Sequence, residues 1–129
     1  MSVISTHVLD TALGKPAGGI FVQLERFEGG GWIEVPANGE AAERAREAPG
    51  DWIEVAAGVT DGDGRCSDLA RNAESGAYRL TFDTGAYFAR LGRASIYPEI
   101  AIHFNCDGNA HYHLPLLLSD NGYTTYRGS

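Results

Sequence analysis

The sequence predicts an all-β protein, an antiparallel β-sandwich of two sheets that carries one short helix. Two observations predict it: short runs of alternating apolar residues recur along the chain, and turn-forming Gly, Asp, Asn and Pro residues separate them. The chain has 129 residues, the length of one domain, and a domain of this size can bury a core without disulfides or metals. We therefore expect seven or eight short strands in a single domain over residues 1–129.

Each predicted strand places alternate side chains on one face of an extended segment. In the N-terminal segment Ser5, His7 and Leu9 share a face. In the predicted strand at residues 96–104, Pro98 indicates an edge strand or a bulge. Turns are predicted at residues 14–16, 60–64 and 119–122. The further predicted strands are residues 19–26, 77–83, 96–104, 111–118 and 122–127. In the first of these Ile20, Val22 and Leu24 share a face, and in the second Tyr78, Leu80 and Phe82 do.

The apolar period changes after residue 82, which predicts the helix. Thr84 can act as the N-cap, because its hydroxyl can accept a hydrogen bond from a free backbone N–H of the first turn. Tyr87, Phe88 and Leu91 then share the apolar face. Gly92 follows at a position where glycine commonly ends a helix.

One stretch interrupts the pattern of strands. The tetrapeptide Trp-Ile-Glu-Val occurs twice, at residues 32–35 and 52–55, and the stretch between the copies is rich in Ala, Glu and Arg. Residues 40–48 have a composition that favours a helix but almost no large apolar side chain. We interpret residues 30–51 as a solvated surface insertion; a helix recruited for binding is the alternative.

Composition excludes several classes of partner. The net charge is −7 and no basic stripe offsets it, so nucleic acid and anionic membranes are not expected partners. The first residues contain neither a basic region nor a long apolar run, which argues against a secretory signal and a membrane span. Two cysteines, Cys66 and Cys106, do not form a disulfide framework. Free thiols in a reducing cytoplasm are the simpler interpretation, and a Cys66–Cys106 pair is the alternative.

A pair of histidines near the C-terminus is the first candidate site. His111 and His113 are two residues apart on a predicted strand, so both side chains point to one face. The spacing suits two zinc ligands, with His7 or His103 as a third. It also suits general acid–base catalysis, because imidazole titrates near pH 6.5. A solvated structural pair is the third interpretation, and the spacing alone leaves all three open.

The turn at residues 60–64 resembles the start of a calcium loop, but the twelfth position from Asp61 is Asn72 and not the required Glu. The segment is therefore interpreted as a turn that projects Arg65 at the start of the next strand.

Several segments together resemble the transthyretin-like family of 5-hydroxyisourate hydrolases. The resemblance covers nearly the whole chain, in order, apart from the stretch between Gly29 and Asp51. Its most specific element is the C-terminal Tyr-Arg-Gly-Ser, which transthyretin, the hormone carrier, lacks. Asp120 and Asn121 depart from the family, which usually has Pro and an aromatic residue there. The matching segments are STHVLD at 5–10, TDGDGR at 60–65, YRLTFDTGAYF at 78–88, HYHLPLLLS at 111–119 and YRGS at 126–129.

The resemblance implies a sandwich of two four-stranded sheets with one short helix. It implies a homotetramer, assembled as a dimer of dimers, with active sites where the dimers meet. It implies hydrolysis of 5-hydroxyisourate to 2-oxo-4-hydroxy-4-carboxy-5-ureidoimidazoline in urate breakdown, without a metal or an organic cofactor. Carrier function without catalysis and a zinc-dependent cyclic-amide hydrolase are the alternatives.

Matched motif by motif, the resemblance also implies the site residues. A histidine, His113 or His7, would take a proton from water, and Arg65 would stabilise charge on the carbonyl oxygen. Ser129 would position the substrate or orient a histidine. The expected catalytic residues are His7, Arg65, His113 and Ser129, and the expected substrate-binding residues are Tyr126, Arg127 and Gly128.

Overall fold

The computed structural model of the protein describes residues 2–29 and 50–128. These residues form nine strands and one helix. In chain order they are β1 (Ser2–Asp10), β2 (Lys15–Pro16), β3 (Phe21–Gly29), β4 (Gly50–Val59), β5 (Arg65–Ala73), β6 (Gly76–Phe82), α1 (Thr84–Arg90), β7 (Ile100–Cys106), β8 (His111–Ser119) and β9 (Gly122–Thr125).

The strands form two sheets, which confirms the predicted sandwich. The first sheet has the order β2-β1-β8-β9, with β5 also paired to β1, and the second has the order β4-β3-β6-β7. The first sheet therefore has five strands and not the expected four, because the two-residue β2 pairs with the end of β1 beyond β5. The strands pair antiparallel except β1 and β8, which are parallel.

The parallel pair positions the candidate site. Ser5 lies opposite His113, and His7 lies opposite Pro115. On its other edge, β1 pairs with β5, where His7 lies opposite Arg65. The three strands thus bring the N-terminal segment, the start of β5 and the histidine-bearing strand side by side.

The core lies between the two sheets and is formed by alternate residues of each strand. On β1 the even-numbered Ile4 and Val8 are fully buried, and the odd-numbered side chains Ser5, His7 and Leu9 point to the outer face. The apolar faces predicted for residues 19–26 and 77–83, which correspond to β3 and β6, are also confirmed. Their buried members are Ile20, Val22, Leu24, Tyr78, Leu80 and Phe82.

The strand predicted from residue 96 begins four residues later. Ile96 is 71% exposed, and β7 starts at Ile100. Pro98 has no N–H to donate to a ladder, and its carbonyl accepts a hydrogen bond from the Gly85 N–H at 3.1 Å. Residues before Ile100 are therefore bound to the start of α1 and not to β6. The expectation that this strand lies at a sheet edge is confirmed.

Two details of the predicted helix were wrong. Asp83 is the N-cap, and its carboxylate accepts from the Ala86 N–H at 3.3 Å, whereas Thr84 is the buried first helical residue. Leu91 is the C-cap and is 48% exposed, so it does not share the buried face of Tyr87 and Phe88. Gly92 ends the helix as predicted, with a positive φ of 66° that suits glycine.

Most of the predicted insertion lies outside the described residues, including the first Trp-Ile-Glu-Val copy and the alternative helix at 40–48. The second copy lies in β4, whose first residue Gly50 pairs with Gly29. Cys66 on β5 and Cys106 on β7 are free thiols, and burial raises the pKa of Cys66. In the described ranges, no helix is long and apolar enough to cross a bilayer.

Candidate active site

The two histidines of β8 converge on one buried hydroxyl. The Ser5 Oγ lies 2.9 Å from His111 Nε2 and 2.8 Å from His113 Nδ1. Ser5 itself is only 4% exposed. The prediction that both imidazoles share a face is confirmed, and the parallel register of β1 against β8 explains the link. The hydroxyl thus holds both rings on the outer face of the first sheet.

His113 is the imidazole whose protonation the surroundings change. Burial lowers the pKa of His113 below its ordinary value, and the positive potential of His111, His7 and Arg65 lowers this pKa further. A neutral imidazole at neutral pH follows, which is the form that can accept a proton. The site can therefore supply a general base without a metal.

His7 is oriented by the turn that precedes β5. Its Nε2 lies 2.8 Å from the carbonyl oxygen of Asp63. Because a carbonyl only accepts, His7 Nε2 must carry the proton in this contact, and Nδ1 is the nitrogen left to accept one. His7 can thus offer a base at Nδ1 or, when protonated, a second donor.

The same turn positions Arg65. The Asp61 carboxylate accepts from the backbone N–H groups of Asp63 and Arg65, each at 2.9 Å, which closes the turn predicted from the sequence. Gly64 has a φ of 75°, and a Cβ there would stand 2.3 Å from the Val8 oxygen. The turn therefore lies against β1, and Arg65 starts β5 directly opposite His7.

The C-terminal segment returns to the histidine strand. After β9 the chain reaches His113 again, where the Gly128 N–H donates to the His113 oxygen at 2.7 Å. A Cβ on Gly128 would lie 2.8 Å from His113 Cδ2 and 3.3 Å from Pro115 Cγ. Only glycine lets the backbone approach the ring this closely, which explains the glycine of the terminal tetrapeptide.

The other members of the terminal tetrapeptide are placed differently. The Arg127 guanidinium carbon lies 4.2 Å from the centre of the Tyr112 ring, and its Nη2 donates to the His111 carbonyl at 3.3 Å. Tyr112 lies between the two histidines in sequence, so its side chain is on the opposite, core-side face of β8. Tyr126 is 53% exposed, and Ser129 lies outside the described residues.

A small open cleft lies above the hydroxyl and the imidazoles. It has a volume of about 200 Å³ and is lined by Ser5, Thr6, Arg65, Ser67, His111 and His113. Surface depressions of about 290 and 390 Å³ lie elsewhere on the protein, but histidine lines neither. The convergence of imidazoles and a guanidinium, and not the size of the depression, identifies the cleft as the candidate active site.

The structure separates the fourth histidine from this cleft. His103 lies on β7 of the second sheet and stacks on Trp52, with ring centres 5.4 Å apart. It cannot serve as the third zinc ligand considered above. Within residues 2–29 and 50–128, no group of three or more His, Cys, Asp or Glu side chains could hold a metal ion.

Sequence reasoning missed Ser5 and Ser67. Ser5 stood in the matched STHVLD segment, but nothing in the spacing connects it to residues more than a hundred positions away. Ser5 could have been found only by predicting which strands pair. A parallel pairing of the first and penultimate predicted strands would have placed Ser5 beside His113.

Comparisons with known proteins agree with this architecture. The solved structure of the 5-hydroxyisourate hydrolase of Klebsiella pneumoniae is similar, with a TM-score of 0.77 and 37% identity over 100% of both chains. Transthyretin from Sparus aurata is similar with a TM-score of 0.76 and 28% identity, over 97% of this chain and 95% of that one. The class of protein is therefore a transthyretin-like β-sandwich.

The sequence also matches known proteins along its length. It is 38% identical over 131 residues to the 5-hydroxyisourate hydrolase of Salmonella typhimurium, covering 99% of this chain and 82% of that protein. Residues 4–128 match the HIUase/Transthyretin family. The chain belongs to that family.

Proposed function

We propose that this protein hydrolyses 5-hydroxyisourate to 2-oxo-4-hydroxy-4-carboxy-5-ureidoimidazoline in urate breakdown. The observation that carries the proposal is the meeting of His7, Arg65, His113 and Gly128 on one face of the first sheet. The similar hydrolases of Salmonella typhimurium and Klebsiella pneumoniae support the choice of substrate.

The groups in the cleft suit attack of water on a ring carbonyl. A neutral histidine, His113 or His7, takes a proton from water, and the water oxygen bonds to the carbonyl carbon. Arg65 stabilises the charge that develops on the carbonyl oxygen. The C–N bond then breaks, the ring nitrogen takes up the proton that the histidine took from water, and the carbonyl carbon becomes the carboxyl group of the product.

The terminal tetrapeptide contributes to the same proposal in two ways. Gly128 confines the space beside the His113 ring, and Arg127 fixes the tail to β8 through Tyr112. Tyr126, Arg127 and Gly128 complete the substrate-binding wall in this proposal, and Ser129 positions the substrate or orients a histidine. Arg127 does so by holding the tail in place, because its guanidinium contacts Tyr112 on the opposite face of β8.

The proposal includes assembly as a homotetramer, a dimer of dimers. In the described part of the chain β7 and β9 are the outermost strands of their sheets on one side, which leaves backbone groups available to pair with a second copy. The outer face of the first sheet, where the cleft lies, would then be covered by further subunits. Two free thiols support a cytoplasmic setting.

The decisive experiment generates 5-hydroxyisourate from urate with urate oxidase, adds the protein and follows the ultraviolet decay. Decay well above the spontaneous rate is expected, and His113→Ala at equal concentration is the matched control. Decay at the spontaneous rate would contradict the proposal. Binding without turnover would favour a small-molecule carrier, which is less well supported because identity to the Sparus aurata transthyretin is 28%.

A further inference from the structure

We infer that Ser5 and His111 are positioning residues that hold the proton of His113 on Nδ1 and thereby leave His113 Nε2 free to act as the base. The inference rests on the proposed hydrolysis and deepens it, because it assigns the reacting nitrogen. The observation is the chain of contacts His113 Nδ1–Ser5 Oγ–His111 Nε2, at 2.8 and 2.9 Å.

The number of protons limits how this chain can be arranged. A serine hydroxyl has one hydrogen to donate, and a neutral imidazole has one N–H and one acceptor nitrogen. If Ser5 donates to His113, the His113 proton must sit on Nε2, and that nitrogen cannot accept a proton from water. If His113 Nδ1–H donates to Ser5, the Ser5 hydroxyl can donate to His111 Nε2, and His113 Nε2 keeps its lone pair.

The proposed hydrolysis selects the second arrangement, because only this arrangement leaves His113 Nε2 able to accept a proton from water. Ser5 is buried, so its hydroxyl depends on the two histidines for partners, and in this arrangement His111 Nε2 accepts the Ser5 hydrogen. The His113 ring places Nδ1 at Ser5 and Cδ2 beside Gly128, so Nε2 is the ring nitrogen that Ser5 does not contact. The charged or titratable groups that face this ring are His7, Arg65 and His111, and their positive potential favours neutral His113.

The arrangement also stabilises His113 after it takes up a proton. An imidazolium has two N–H donors, and Nδ1–H then keeps its bond to Ser5 while Nε2–H holds the proton from water. No hydrogen has to rotate during the step. His111 thus acts through Ser5, and neither residue has to touch the substrate.

The experiment compares Ser5→Ala, His111→Leu and His111→Gln in the full-length protein. Glutamine keeps an amide oxygen able to accept the Ser5 hydrogen, whereas leucine removes the acceptor. We expect Ser5→Ala and His111→Leu each to lose roughly tenfold in kcat with little change in KM, which is the size of one hydrogen bond. His111→Gln should stay close to the parent, and the Ser5→Ala/His111→Leu double variant should lose no more than either single one.

Nitrogen-15 NMR of the histidine rings shows which nitrogen of His113 carries the proton. This tautomer would not change if Ser5 and His111 only supported the fold. His113 should be protonated on Nδ1 in the parent and His111→Gln, and the Nε2–H form should appear in Ser5→Ala and His111→Leu. An Nε2–H form in the parent, or an unchanged tautomer in His111→Leu, would overturn the inference. His111 is exposed, so its variants keep the test available if Ser5→Ala fails to fold.

Failure of the inference and failure of the proposed function give different results. A parent protein that does not accelerate 5-hydroxyisourate decay contradicts the function, while the tautomer measurement still decides which nitrogen of His113 is protonated. An active parent whose kcat is unaffected by His111→Leu overturns the positioning role and leaves the function intact.

Discussion

Two polar clusters lie on β1, and they use charge in opposite ways. The first, the Asp10 cluster, consists of Asp10, Tyr87, Arg93 and Asp120. Asp10 is fully buried, yet its carboxylate accepts from Tyr87 Oη at 2.7 Å and pairs with Arg93, which also pairs with Asp120. Burial alone would raise the pKa of Asp10, but the hydrogen bonds from Arg93 and Tyr87 outweigh it and the pKa is lowered. Burial and the neighbouring Asp10 raise the pKa of Tyr87 to about 12.

The second cluster, the cleft cluster, consists of Ser5, His7, Arg65, His111 and His113. In the described ranges, no carboxylate pairs with its imidazoles or with Arg65; the imidazoles contact a hydroxyl and a backbone carbonyl. The Arg65 guanidinium and the imidazoles of His111 and His113 line an open cleft. Charge that is paired within the fold stabilises the fold, whereas unpaired charge beside an open cleft is available to a ligand.

The largest effect is expected from a substitution that breaks the Asp10 cluster. Arg93→Leu removes the cation and leaves a buried carboxylate, so we expect a loss of about 3–5 kcal/mol in the free energy of unfolding. Denaturant titration measures it. Arg71→Leu is the matched control, because the Arg71–Asp68 pair is exposed and contributes about 1 kcal/mol or less. Turnover per folded molecule should survive in both variants, and a small loss for Arg93→Leu would show that Asp10 is not held by this pair.

The next largest effect is expected from substitutions that break the cleft cluster. His113→Ala and His7→Ala should each lower kcat by at least about a hundredfold, the usual size of a general acid–base contribution, with little change in the thermal transition. His103→Ala is the control, because His103 lies on the second sheet away from the cleft. Steady-state decay of 5-hydroxyisourate measures all three. An equal loss for His103→Ala would mean that the cleft is not the active site.

A smaller effect tests the closeness of the tail to the cleft. In Gly128→Ala the new methyl would lie 2.8 Å from His113 Cδ2, so either the ring or the tail must shift. We expect kcat to fall roughly tenfold, because small displacements of reacting groups are costly. At the control position, in Gly122→Ala, the nearest atom to the new methyl is the Ser119 Oγ at 3.3 Å. Similar kinetics for the two variants would show that the tail does not position His113.

Sequence patterns predicted the sandwich because local periodicity reports which residues face the core. Alternation placed Tyr78, Leu80 and Phe82 correctly, and it placed His111 and His113 together. It failed where tertiary contacts decide: the Pro98 carbonyl is bound to α1, and the helix cap falls one residue earlier than expected, at Asp83. Neither contact can be predicted from the spacing of apolar residues along the chain.

The candidate site was predictable as a set of residues but not as an arrangement. The matched segments identified His7, Arg65, His113 and Gly128, which the structure brings together. The hydroxyl of Ser5 required the parallel register of two strands from opposite ends of the chain. The position of Arg127 over Tyr112 required the tail to pair with β8, since that pairing sets which face each tail residue takes.

The smallest effect concerns the pH dependence of the cleft. Burial, together with the charges of His111, His7 and Arg65, lowers the pKa of His113, and a general base must be neutral to work. Activity should therefore persist as the pH falls below about 6.5, the ordinary value for imidazole, and decline only through the lowered pKa. Arg65→Gln removes one positive charge, so the acid limb of kcat/KM should move upward toward that ordinary value while the overall rate also falls. Arg71→Gln, a surface change on the same strand, should leave the limb in place. A limb in the parent at or above 6.5 would show that His113 is not the titrating base, and a limb unmoved in Arg65→Gln would show that Arg65 does not act on it electrostatically.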